Sequence, residues 1–264
     1  MTGTVSTASI IGMAVTMIIS IGLPIFLLVF VKKKTNGKLG WALIGGLTFI
    51  LFALVLESLF HNFVIGELGE KVTGNVWFLA LYGGLAAGIF EETGRFLAMK
   101  NIKKGTLHKD NAIMYGIGHG GIESILLIGL TYISNLVTAA MINSGMMETS
   151  LSMLEGNLKD QAASQLQSLC DLPAYTFYLA GVERMSTIVL HICLSYIVYK
   201  AVKDSKPVFF VIAIALHAFV DGVIVILNNM FGVWAAEIVL IAEVAFIAVF
   251  CYKDYSRLEE TIEA

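Results

Sequence analysis

Apolar residues fill long runs along this chain, and polar residues gather in the short connections between them. Taken as helices, the runs cover about 8–31, 39–60, 76–99, 110–134, 174–199, 207–229 and 231–252. A bilayer core of roughly 30 Å is crossed by about 20 residues of helix, so each run is long enough to span. The pattern predicts an all-α, polytopic transmembrane helical bundle of about seven helices, forming a single integral membrane domain over residues 1–264. No Lys or Arg precedes the first run and no small-residue cleavage site follows it, so a retained helix is expected rather than a signal peptide. The tightest connection is the turn at 228–232.

Composition sharpens this picture. Of the 264 residues, 57% are hydrophobic and 14% charged, whereas soluble domains carry roughly 25% charged residues. The net charge of −3 says less than where the charges lie. Lys32, Lys33, Lys34 and Lys38 occupy the first connection, and Lys100, Lys103, Lys104 and Lys109 bracket the third. Lys200, Lys203 and Lys206 mark the fifth, and Lys253 and Arg257 follow the last run. The even connections hold only Lys71 and Lys159. By the positive-inside rule the N-terminus is outside and the C-terminus cytoplasmic. On that topology the long polar stretch 135–173 is an extracytoplasmic loop region. Cys170, Cys193 and Cys251 are widely spaced with no CxxC pair, which argues against a disulfide framework or a thiolate metal site. No phosphate-binding loop, dinucleotide fingerprint or nucleic-acid-binding stripe occurs, so no nucleic-acid partner is expected beside the membrane lipids.

Charges inside a bilayer core are costly and mark function or internal pairing. Glu91 and Glu92 lie nine and eight residues from Lys100, His119 ten from Lys109, His191 nine from Lys200 and His217 ten from Pro207. At about 1.5 Å per residue each is roughly 12–15 Å deep, near the midplane. Four runs thus present a carboxylate or an imidazole at one level. Glu91 with Arg95, His119 with Glu123 and His217 with Asp221 are spaced i,i+4 on shared helical faces. Arg95 is expected to neutralise Glu91, and the other acids to orient their imidazoles. Glu183, beside Arg184, shares a stripe with Thr187 and His191. Glycines at 83, 84 and 88 precede Glu91, and others at 116, 118, 120 and 121 flank His119. Small residues let membrane helices approach closely, so the third and fourth runs are expected to press together. Glu57 and Glu237 fall near the outer interface, where they are expected to reach water, and His61 is read as an interfacial polar residue.

A carboxylate with neutral imidazoles binds divalent metals, and two His with one Glu and an open water position is a hydrolytic arrangement in which zinc brings the water's pKa toward neutrality. The candidate ligands are His119, His191, His217 and Glu92. In a metal-free scheme Glu91 or Glu92 acts as general base on water, and His119 or His217 stabilises the oxyanion. An intramembrane hydrolase leads. The alternatives are a metal-ion or proton transporter, since buried acids and histidines also build ion paths, and a non-catalytic membrane interaction or immunity protein. Hydrolysis needs a solvent-accessible cavity ending at the cluster, and transport needs a path continuing to the other side.

Residues 90–95 contain the pattern EExxR, Tyr115 to His119 reads YxxxH, and His217 to Asp221 reads HxxxD. In order and placement these motifs resemble the glutamate-dependent intramembrane proteases, the CAAX-processing and bacteriocin-protection group with its PrsW-like relatives. The GIGHGGIE run at 116–123, the Glu183–Arg184 pair and His191 are similar to the YhfC family of bacterial membrane peptidases, and this likeness covers nearly the whole chain. The resemblance implies a polar chamber inside a multi-pass bundle of the bacterial plasma membrane. It implies an intramembrane metalloprotease or glutamate-dependent protease acting on membrane-embedded or lipidated peptides. Glu91 would activate water with Glu92 and Arg95 in support, and His119 and His217 would bind Zn2+ or position the water and the oxyanion. Asp221 would match the last residue of the third motif, with Glu123, Glu183 and Arg184 supporting. The chain departs from the prenyl-protein endopeptidase pattern, with EExxR for EExxxR and Tyr115 for Phe, which points away from a prenylated CAAX substrate.

Overall fold

The computed structural model describes residues 3–101 and 106–258, so Lys103 and Lys104 of the third connection lie outside the described residues. Helices occupy almost all of it. First come α1 (Thr7–Lys34) and α2 (Leu39–Phe49), the latter passing through a π-helical stretch, Ile50–Glu57, into α3 (Ser58–Leu68). The short α4 (Glu70–Thr73) precedes α5 (Val76–Asn101). Next, α6 (Lys109–Glu123) passes through a second π-helical stretch, Ser124–Gly129, into α7 (Leu130–Asn143). Then follow α8 (Met146–Ser152), α9 (Gly156–Asp171), α10 (Ala174–Lys203), α11 (Pro207–Phe231) and α12 (Val233–Arg257). The turn between the last two is the single residue Gly232, at φ 82°, a conformation that glycine reaches without a Cβ penalty.

Six helical runs among the described residues are long and apolar enough to cross a membrane: Thr7–Lys34, Leu39–Leu68, Lys109–Asn143, Ala174–Lys203, Pro207–Phe231 and Val233–Arg257. At 26 residues, α5 is comparable in length, but it carries Glu91, Glu92, Arg95 and Lys100 and is not among the six. Burial runs opposite to that of a soluble protein. Phe26, Leu43, Leu47, Phe246 and Phe250 are exposed, while Glu91, Glu92, Arg95, His119, His191 and His217 are buried. Lipid solvates the apolar side chains and offers nothing to an ionised one, which explains the inversion. The chain is a multi-pass α-helical protein of the cell membrane.

Two compact units divide it, Met1–Leu23 with Ser124–Arg184, and Pro24–Glu123 with Met185–Ala264. In the first, Val5, Met13, Tyr132, Ala139, Ile142 and Phe177 form the core. The Asn143 side chain bonds both backbone groups of Val5, accepting from its N–H at 2.8 Å and donating to its carbonyl at 2.9 Å.

The second unit contains the polar layer. Here α5 runs antiparallel to α11, with Gly84 against the Ala218 backbone and Gly88 against Ile214. The α2 and α6 helices run parallel, with Gly118 against Ala42 and Gly46 against Ile122, and α6 lays Gly116 on Ile192 of α10. The expected glycine contact between the third and fourth runs is thus replaced by contacts of each with other helices. Glycine spacing marks a helix for close approach and does not name its partner. These directions bring Lys38, Lys100, Lys109 and Lys200 to one end of the unit.

Candidate metal centre

Four helices supply the layer. Glu91, Glu92 and Arg95 come from α5, His119 from α6, His191 from α10 and His217 from α11. Adjacent helical residues point about 100° apart, and the two glutamates accordingly meet different neighbours. Glu91 Oε2 lies 2.9 Å from His119 Nε2. Glu92 Oε1 lies 2.8 Å from His217 Nδ1, and Arg95 Nη1 sits 3.1 Å from each Glu92 oxygen. Arg95 therefore neutralises Glu92, three residues away, rather than Glu91. Its other nitrogen, Nη2, lies 3.1 Å from His191 Nδ1, and His191 Nε2 is 2.6 Å from Glu123 Oε2. Glu123 meets the imidazole of α10 instead of its i,i+4 neighbour His119. His217 Nε2 keeps its i,i+4 partner Asp221 at 3.5 Å.

The network assigns the ring protons. Arginine only donates, so His191 Nδ1 accepts and Nε2 carries the proton beside the Glu123 carboxylate. His217 Nδ1–H donates to Glu92, and His119 Nε2–H to Glu91. His119 Nδ1 is left buried without a hydrogen-bond partner. Its ring stands 4.9 Å from that of His191, which stands 5.5 Å from that of His217, and Phe49 closes on His119 at 5.3 Å.

Ligand atoms of Glu91, His191 and His217, all buried, lie within 4.8 Å of one another, near enough to hold a metal ion. One carboxylate and two imidazoles form a donor set suited to zinc. Each imidazole of the trio has a carboxylate on its other nitrogen, Glu92 for His217 and Glu123 for His191. Metal-binding histidines are oriented this way. Glu91, Glu92 and Glu123 gather here with Arg95, and a divalent ion would offset two of the negative charges. The residues present fit a bound metal.

The geometric trio contains Glu91, whereas Glu92 lies on Arg95 and His217, and His119 lies on Glu91. Glu183 and Arg184 belong to the first unit, where they pair with each other. Sequence reasoning missed another polar group. Glu57, expected to reach water, is 8% exposed, and Glu237 is 5% exposed. Depth along a helix says nothing about which way a side chain points. Glu57 Oε1 accepts from His61 at 3.1 Å, and His61 Nδ1 lies 2.6 Å from the Tyr82 hydroxyl. The i,i+4 spacing of Glu57 and His61 was the available signal.

Fold and site together define a multi-pass membrane protein with a buried Glu/His/His cluster, consistent with a metal-dependent intramembrane protease. The chain belongs to the family described as YhfC intramembrane metalloprotease, which it matches over residues 19–245. It is also 35% identical over 257 residues to the uncharacterized membrane protein YhfC of Bacillus subtilis (strain 168), covering 96% of this chain and 99% of that relative. No solved structure matches it.

Proposed function

We propose that this chain is an intramembrane endopeptidase that hydrolyses peptide bonds of membrane-embedded or lipidated proteins. The observation that carries the reading is the carboxylate behind each imidazole of the Glu91, His191 and His217 trio. On this reading those three residues hold a zinc ion, with Glu92 and Glu123 fixing the rings. His191 Nδ1 would face the ion in place of Arg95, which would remain on Glu92. When bound, the ion supplies Lewis acidity to the carbonyl and acidity to the water. His119 moves the protons. Glu91 holds its Nε2–H, so the Nδ1 lone pair takes a proton from the attacking water, and Glu91 steadies the resulting imidazolium until that proton passes to the leaving nitrogen.

The rest of the reading follows from the same residues. Glu91, Glu92 and Arg95 ride on α5, which we take as a seventh span whose charges are solvated by protein. With seven spans the lysine alternation puts the N-terminus and residues 135–173 outside and the C-terminus in the cytoplasm, in one membrane-integrated domain. The EExxR, YxxxH and HxxxD motifs relate the chain to the CAAX-processing, bacteriocin-protection and PrsW-like proteases. A mid-depth site favours substrates delivered through lipid.

Metal analysis of purified protein beside cleavage of a membrane-protein substrate tests the assignment. His217→Ala is expected to lose both the ion and activity. His119→Ala is expected to keep the ion and to lose about 10²- to 10⁴-fold in kcat, the range for a positioned acid or base. Normal turnover by either variant defeats the reading.

A further inference from the structure

Polar side chains are distributed unevenly about the Glu91, His191 and His217 layer. Toward the lysine-bearing end the neighbouring positions are buried, mostly apolar and without a carboxylate, with Met99, Ala112, Met114, Tyr115, Leu194 and Val198 each at most 1% exposed. Toward the other end lie carboxylates, an imidazole and a phenol. Asp221 stands one turn beyond His217, with its side chain 39% exposed. Glu57 is the one buried residue of the π-helical stretch Ile50–Glu57, whose other residues are apolar. It hydrogen-bonds His61, whose side chain is 31% exposed, and His61 in turn meets Tyr82. Glu57 lies within electrostatic reach of His217, Asp221 and Glu91.

The π-helical stretch explains how a carboxylate in so apolar a segment avoids lipid. An i→i+5 turn holds an extra residue and shifts the helical phase beyond it by roughly 100°. Glu57 and His61 are thereby brought onto the protein-facing side. Peptide hydrolysis consumes one water per bond. Its oxygen and one hydrogen join the acyl carbon, and its other proton goes to the amine nitrogen as the C–N bond breaks. That water must reach mid-bilayer, where apolar walls give it no partners.

We propose that Glu57, His61 and Tyr82 line the route by which water reaches the polar layer, from the end remote from the lysines alone, with the Met99 to Val198 layer as a dry seal. The use of that water in hydrolysis rests on the peptidase reading, whereas one-sided access stands on side-chain placement.

Thiol labelling of the full chain in membrane vesicles of both orientations tests the route. Cys170, Cys193 and Cys251 are replaced by Ser, and a charged, membrane-impermeant thiosulfonate is the probe. Tyr82→Cys is expected to react from one face only. It should react on the order of tenfold faster than Leu81→Cys, at similar depth but facing lipid, or Ala112→Cys in the seal, because thiols in dry surroundings are inert. Adding Glu57→Leu should slow the Tyr82→Cys reaction, and Glu57→Gln should leave it fast. Equal reactivity of Leu81→Cys and Tyr82→Cys overturns the route. So does labelling of Ala112→Cys, or a Tyr82→Cys chain that elutes natively yet reacts from neither face. These readouts need no cleavage, so an inactive protein with the expected labelling would defeat the peptidase reading alone.

Discussion

Glu91 and Glu92 share a turn of α5 but have different partners, and the difference can be tested. Arg95 and Glu92 are fully buried, and breaking a buried pair leaves an uncompensated charge costing about 3–5 kcal/mol. Arg95→Ala should therefore lower the unfolding temperature in detergent. Arg95→Lys should recover only part, because an ammonium cannot reach Glu92 and His191 with a planar fork. Sequence made the residue types and their common depth legible. It could not say which acid meets which base, because i,i+4 spacing states that two side chains share a face and is silent about competitors on other helices. Arg95 meets Glu92 of its own helix and His191 of α10, and Glu123 of α6 meets the same His191, because buried polar groups from different helices must all be satisfied together.

At the scale of elements, apolar runs and basic ends located the helices well. The expected run at 207–229 is α11 to Phe231, and the single-residue link at Gly232 falls inside the expected turn. The two π-helical stretches left no such signal, because an extra residue in a turn is a response to neighbours and leaves composition unchanged. Glycine partners were equally hidden. A Cβ on Gly118 would strike the Ala42 carbonyl, whereas one on Gly83 would meet nothing within 4 Å. Gly118→Ala is expected to cost about 1–3 kcal/mol through forced separation of α2 and α6, and Gly83→Ala to be neutral or slightly stabilising. Thermal unfolding of the two variants side by side checks this. Equal melting temperatures would remove the close approach as a source of stability.

At the scale of the whole molecule, the burial pattern and six apolar runs establish a membrane protein. The seven-span topology makes its own prediction. Tags placed at 69–74 and at 144–146 should both be modified from outside the cell and tags after residue 258 from the cytoplasm; tags at 69–74 and 144–146 found on opposite sides would mean that α5 does not span. Chelation supplies a further check. A strong chelator should strip the ion and activity together, and zinc should restore both without refolding, since the helices are held by lipid and by one another.

Sequence alone determined that this chain lives in a bilayer, where its helices lie, and that acids and histidines meet at one depth. Those properties depend on hydrophobicity and on rise per residue, which are local. Tertiary structure decided that ligand atoms of Glu91, His191 and His217 converge, that Glu92 pairs with Arg95 and His217, and that Glu57 turns inward. Each of those outcomes depends on the rotation of one helix against another, which close contact sets and no single segment carries.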